Sequence, residues 1–357
     1  VSGFASATAE PPSQAHIAVL LPLNSASLGA AADAVHQGIL AAAKIDNTSL
    51  PMRIYSDFDE TQNVLAAYKS AIDKGAVAVL GPLTRNGIRQ LADEKSLPVP
   101  TLSLNIIDVP GPANLYFFGL AVEAEARQVA QLARKQGMKQ AIVITANEAL
   151  SRRLQFAFEE QWVQSGGIIA REIEYSGDPM IFAEIAAQPD NMVFFATNAE
   201  QSRTLRPYLP NNLTAYATSQ LFLGNRDTLL NFDFDGIRFV DMPWLMQTEE
   251  AFVMTYPRAP SSLPVDQERL YALGIDACQL IKLLINKNTA RPLNGVTGRV
   301  KLNGQIFNRE ALPALFVQGH AQSADAPVAQ AVQLFPDQFK SASSVEDALP
   351  PVPASKP

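Results

Sequence analysis

The sequence predicts an α/β protein built as two doubly wound parallel-sheet lobes, with a cleft between them and multiple chain crossings. Three observations carry that prediction. Short apolar runs of strand length alternate with longer stretches whose apolar residues recur at three- and four-residue spacing. The runs are continuous, as in HIAVLLPL and AVAVLG, and such runs mark strands buried on both faces, as in a parallel sheet covered by helices. The same rhythm begins again after Gly119, which implies a second lobe.

The elements follow in order. A strand at 16–23 precedes a helix over about 28–45, whose stripe is Ala31, Ala34, Val35, Ile39, Ala42 and Ala43. PMRIYSD is the second strand, and Val64, Ala67, Tyr68, Ala71 and Ile72 mark the second helix. AVAVLG is the third strand; the helix carrying Ile88 and Leu91 ends before Pro98, and VPTLSL and LYFFGL are the fourth and fifth strands. The second series predicts helices over 122–135, 148–165 and 180–187, with strands at 140–146, 168–175, 191–197 and 213–219. DGIRFVDMPWLM is a strand leading into a turn. Residues 265–285 form the longest helix, with Leu270, Leu273, Ala277, Cys278, Ile281 and Leu284 at helical spacing. GVTGRVKLNGQIFNREALPALFVQG reads as antiparallel strands turning at Asn303-Gly304.

Composition narrows the function. At 357 residues the chain suits two domains, and an apolar fraction of 47% with 18% charged residues excludes wholesale disorder. The net charge is −7 with no block of Lys or Arg, which argues against nucleic acid or an anionic membrane as partner. No apolar run approaches the roughly 18 residues that span a bilayer. Residues 1–13 are expected to be a flexible spacer, of the kind that follows a cleaved signal or anchor segment, and 321–357 a flexible Ala/Ser/Pro-rich tail. Cys278 is the single cysteine and sits in an apolar helical pattern, so it reads as a small buried hydrophobe. His16, His36 and His320 have no companion at metal-ligand spacing, and no phosphate loop, dinucleotide fingerprint or nucleophile elbow is present. The expectation is a binding protein with no catalytic residues, no metal and no cofactor.

Five stretches carry a family resemblance: VLGPLTRNGIRQLADEKSLPVPTLSLN (79–105), FFGLAVEAEARQVAQLARKQGMKQAIVI (117–144), DMPWLM (241–246), YALGIDACQL (271–280) and GVTGRVKLNGQI (295–306). In order and spacing they resemble the penicillin-binding-protein activator lipoproteins, the LpoA/LppC family, within the type I periplasmic-binding-protein superfamily. The resemblance implies crossings near residues 120, 243–247 and 293. Lobe one would then comprise 14–120 plus 248–290, and lobe two 121–247 plus 291–320. It also implies a non-catalytic periplasmic regulator, anchored at the outer membrane in its full-length precursor, that binds and activates a class A penicillin-binding protein, a bifunctional peptidoglycan synthase. The alternative is a solute receptor that delivers an amino acid or another small polar ligand to an ABC transporter.

Sheet physics places any cleft beyond the carboxyl ends of the parallel strands. Those ends present Asn24, Ser25, Thr84, Arg85, Ser103 and Asn105 on lobe one, and Asn147, Glu148, Thr197, Asn198, Ser219 and Gln220 on lobe two. Hydroxyls, amides and a guanidinium at helix starts suit a carboxylate, and Glu148 suits an ammonium; the same residue types also serve as helix caps. Solute receptors commonly place an aromatic residue and a glycine after the first strand of lobe two. This chain has ANEAL there, and Ile275 where a receptor tyrosine often stands, so tight binding of a free amino acid is not expected. For a protein partner, Trp244, Arg152 and Arg153 are the candidate surface anchors, with packing into the lobe-crossing region as the alternative for Trp244.

Overall fold

The computed structural model describes residues 14–45, 50–56, 63–225 and 228–324. The expected spacer at 1–13 and all of the expected tail from 325 onward lie outside the described residues.

The first series runs β1 (His16–Leu20), α1 (Gly29–Ile45), β2 (Met52–Tyr55), α2 (Val64–Asp73), β3 (Ala76–Leu80), α3 (Arg85–Ala92), β4 (Thr101–Ser103) and β5 (Leu115–Phe117). The second runs α4 (Val122–Lys135), β6 (Gln140–Thr145), α5 (Ala149–Gln164), β7 (Ile168–Glu174), β8 (Asn191–Ala196), α6 (Ala199–Leu205), β9 (Thr214–Ala217), α7 (Thr228–Asn231) and β10 (Arg238–Asp241). The chain continues through α8 (Pro243–Met246), α9 (Ala251–Met254) and α10 (Val265–Ile285). It closes with β11 (Leu293–Gly295), β12 (Gly298–Asn303), β13 (Ile306–Glu310), β14 (Leu312–Val317) and β15 (His320–Ser323). Two sheets result: an eight-stranded sheet in the order β11-β12-β13-β5-β4-β3-β1-β2, and a seven-stranded sheet in the order β15-β14-β10-β9-β8-β6-β7.

Alternation along single strands shows why the apolar runs are unbroken. Ile17 and Val19 of β1 enter the core beneath α1 and α10, while Ala18 and Leu20 enter the opposite core beneath α2 and α3. In the second sheet Ile142 and Ile144 face one core, and Ala141 and Val143 face the core shared with α4 and α5. Both faces are buried in these two strands, so period-two polarity is absent from them, whereas β7 and β12 do alternate.

Three differences from the sequence reading have physical causes. Residues 293–310 join the first sheet, whereas 291–320 was expected in lobe two. Ile306 pairs parallel with Phe117, and the Gln305 side chain donates to the carbonyls of Pro112 and Leu115, both at 2.8 Å. The third change of sheet therefore falls near Ala311 instead of near Leu293. The expected tail boundary at 321 also moves, because β15 runs on to Ser323 against β14. The helix expected over 180–187 is a single 3₁₀ turn, Pro179–Phe182, capped by Asp178. Pro189 disfavours helical backbone at Gln188, and Phe182 and Ile185 reach the core without a full helix.

The outer side of β15 is closed in an unusual way. The Asn225 side chain donates to the Ala321 carbonyl at 3.0 Å and accepts from the Ala321 N–H at 2.9 Å, as a neighbouring strand would.

Helices α1 and α10 lie in direct backbone contact. A Cβ on Gly38 would collide with the Tyr271 carbonyl, and one on Gly274 with the Val35 carbonyl. Both glycines are needed for this approach, and the apolar residues on either side of them form one core. We expect Gly274→Ala to destabilise the protein by about 1–3 kcal/mol through overpacking, read as a lower melting temperature with an unchanged far-UV spectrum. An unchanged melting temperature would show that the helices can part without cost.

Candidate functional site

The strand ends do carry the polar residues expected of them, but most of their side chains are engaged within the fold. Ser25 accepts the N–H groups of Ser27 and Leu28 at 3.2 and 3.0 Å, at the turn into α1. Thr84 caps α3 by accepting the Gly87 N–H at 3.0 Å. The Ser103 hydroxyl donates between the carbonyls of Asn105 and Tyr116, at 3.1 and 3.0 Å. Asn105 donates to the Leu83 carbonyl and accepts the Ile106 N–H. Asn24 is exposed in the turn after β1.

The second sheet repeats the pattern. Asn198 forms a capping box with Gln201 at the start of α6. Gln201 also donates to Glu148 at 2.7 Å. Thr197 is buried against the Ser202 hydroxyl at 2.7 Å. Asn147 accepts from Arg152 at 3.0 Å. Ser219 is buried and donates to Glu125 at 2.6 Å, and Gln220 follows it in the 3₁₀ turn Ser219–Leu221. Arg85 is exposed at the start of α3, and its charge acts on Glu123 at the start of α4. Arg153 donates to that same Glu123 at 2.6 Å.

Of the three candidate surface anchors, Trp244 is not at the surface and takes the packed alternative. It is fully buried, donates to Glu268 at 2.7 Å, and lies beneath the Arg258 guanidinium, 3.7 Å from the ring centroid. Pro243 starts the short helix α8 and turns the indole inward against Tyr271. Arg152 and Arg153 are exposed on α5, with Phe156 68% exposed one turn beyond Arg152.

What sequence reasoning missed is a buried charge network where the chain passes between the sheets. Arg269 of α10 makes a two-point contact with Asp241 at the end of β10, at 2.7 and 3.3 Å, and donates to the carbonyls of Ser219 and Phe222. Arg309 of β13 donates to Glu125 of α4 at 2.6 Å, with both side chains at most 6% exposed. The other Glu125 oxygen holds Ser219. Arg309 also donates to the Thr297 carbonyl, and Asp276 of α10 accepts from the Val296 and Thr297 N–H groups and the Thr297 hydroxyl. Burial alone would lower the Arg269 guanidinium, but Asp241, Glu125 and Asp266 hold it above its ordinary value. Burial pushes the Asp276 carboxyl up to about 6, against the opposing pull of its Thr297 and Val296 donors and of Arg309. Among the described residues there is no cluster of His, Cys, Asp and Glu that could hold a metal, and no helix long and apolar enough to cross a membrane.

A family model described as "LppC putative lipoprotein" matches residues 8–188 and 178–311. The chain belongs to the LppC family. Its relatives include proteins named penicillin-binding protein activator LpoA. The one from Haemophilus ducreyi is 27% identical over 278 residues, covering 74% of this chain and 46% of the relative. The one from Aliivibrio fischeri is 24% identical, covering 81% of this chain and 54% of the relative. The chain thus spans about half the length of the curated relatives it matches. Among solved structures it is similar to the LpoA C-domain from Haemophilus influenzae, described as a regulator of PBP1A, at TM-score 0.73 and 22% identity. That match covers 86% of this chain and 99% of that one. It is also similar to a "putative branched-chain amino acid ABC transporter" from Chromobacterium violaceum, at TM-score 0.75 and 35% identity, covering 85% of this chain and 100% of that one. These matches agree with the fold class and the family resemblance read from the sequence.

The buried network can be tested at two points. Arg309→Met leaves Glu125 buried without its cation and should cost about 3–5 kcal/mol in urea unfolding, and adding Glu125→Gln should restore part of the loss. A double variant no better than the single would mean that the pair is not coupled. For Asp276, the folded carboxyl at about 6 lies above the unfolded value of about 3.9. The folded chain then binds the extra proton across that window, so Asp276 makes stability fall as pH rises from about 4 to 6. Melting temperatures of Asp276→Asn, taken relative to the wild type, should rise over the same window; a constant difference would contradict the shift.

Proposed function

We propose that this LppC-family chain is a non-catalytic regulator that docks on a class A penicillin-binding protein, a bifunctional peptidoglycan synthase, and raises its activity. In this reading it works in the periplasm, held at the outer membrane by the lipid anchor that the family description implies. The observation that carries the reading is the family match over residues 8–311, together with coverage of nearly the whole LpoA C-domain. The strand-end chemistry supports it: Ser25, Thr84, Ser103, Asn105, Thr197 and Asn198 have their polar groups engaged in caps and turns. Activation requires the regulator to bind the active state of the synthase better than the resting state, and a coupling of about 1–3 kcal/mol corresponds to roughly 5- to 150-fold stimulation. Arg152, beside Phe156 on the outer face of α5, is the docking anchor in this reading.

The 35% identity to the transporter-type structure favours a second reading, a receptor for an amino acid or another small polar ligand held at the strand ends. One pair of measurements separates the two. Glycan polymerisation and crosslinking by the cognate synthase should each be followed with and without the protein, and a several-fold increase is expected. No change at concentrations where the two proteins bind would overturn the activator reading. A free amino acid that raises the melting temperature by several degrees would favour the receptor.

A further inference from the structure

Behind the second chain crossing lies a cavity of about 600 Å³ that none of the strand-end residues lines. Its walls are the loop Phe222–Asn225 with β15, helix α8 carrying Trp244, and the start of α10 with Glu268. Its volume is that of a small-molecule site, which typically spans roughly 300–1,000 Å³.

The lining combines an apolar surface with one oriented cation. Phe222, Leu223, Met246, Leu263 and Val265 supply the apolar part, and Leu223 is 61% exposed at the rim. Arg258 supplies the charge. Its guanidinium carbon lies 3.7 Å from the Trp244 ring centroid, and the group donates to the Trp244 carbonyl at 3.0 Å, while its side chain is 42% exposed. Contact with the Trp244 ring and carbonyl anchors the guanidinium at the cavity, and a guanidinium is the group that suits a carboxylate or sulfonate. The neighbouring anion, Glu268, is more enclosed, at 18% exposed. Its Oε2 already accepts the Trp244 indole N–H at 2.7 Å and forms a longer ion pair with Arg258, at 3.9 Å. Arg258 is therefore the more accessible member of this ion pair.

We propose that this cavity is a binding site for an amphipathic organic anion, with its apolar body against Phe222, Leu223 and Val265 and its anionic head on Arg258. The site is separate from the strand ends and independent of the activator reading. Its walls come from elements on both sides of the chain crossing, so a bound molecule would touch both halves.

The test is calorimetric titration of the purified protein with decanoate, and with decyltrimethylammonium as a probe of the same chain and opposite charge. Saturable one-to-one binding of decanoate is expected, with much weaker binding of the cation. Arg258→Gln should weaken decanoate about tenfold or more, the loss of one charge-assisted contact. Leu223→Asp alters an exposed rim residue, so it tests the apolar half of the site if the Arg258 variant disturbs packing on Trp244; it too should weaken decanoate. Absence of saturable decanoate binding, equal affinity for the two head groups, or unchanged affinity in a folded Arg258→Gln protein and in Leu223→Asp would each overturn the proposal.

Discussion

The two-point contact of Arg269 with Asp241, joined through Ser219 to Glu125 and Arg309, is the interaction on which the arrangement of the two sheets depends. Its members come from α10 and β13 on one side and from α4, β10 and the end of β9 on the other. Buried charges are costly unless each is paired and hydrogen-bonded, so the network tolerates little relative displacement of its parts. A charge pair of this kind contributes less as net stability than as a geometric specification, because loss of either partner leaves an isolated ion in the interior. Asp276 extends the same logic into the first sheet by fixing the turn between β11 and β12.

The strand ends show how a fold associated with ligand binding can direct the same residue types elsewhere. Serine, threonine and asparagine at the carboxyl end of a parallel strand can hold a solute or can start the next helix, and the polar atoms are the same in both cases. Here Thr84 and Asn198 cap α3 and α6, and Ser103 bridges the Asn105 carbonyl and the Tyr116 carbonyl of β5. Composition therefore identifies the place but not the use, and only the hydrogen-bond geometry separates the two.

Much of the fold was legible because it rests on local periodicity. The helices over 122–135 and 265–285 carry apolar residues on the turn-to-turn spacing that buries them, and the hairpin turn read at Asn303-Gly304 falls one residue on, at Gly304-Gln305, with Asn303 paired to Ile306. What was not legible depends on long-range pairing. An antiparallel hairpin can join either sheet, and its membership here is decided by Ile306 against Phe117 and by Gln305 reaching Pro112 and Leu115. Trp244 was ambiguous because a tryptophan after a proline suits a surface turn and a buried one equally. The charge network left one readable signal. Asp276 interrupts an otherwise apolar helical face in YALGIDACQL, and a carboxylate placed there has to find donors inside the protein. Glu125, Asp241 and Arg309 left none, since each looks like an ordinary charged residue until its distant partner is known.

The closure of β15 by Asn225 bears on how the protein meets other chains. A free strand edge is a template on which a second polypeptide can add itself through backbone hydrogen bonds. At Ala321 both backbone groups that would face such a newcomer are already held by a side-chain amide that copies the pattern of a strand and cannot be extended. At that position a second chain would meet side chains in place of free backbone groups, so shape and charge, which discriminate among partners, would govern any contact made there.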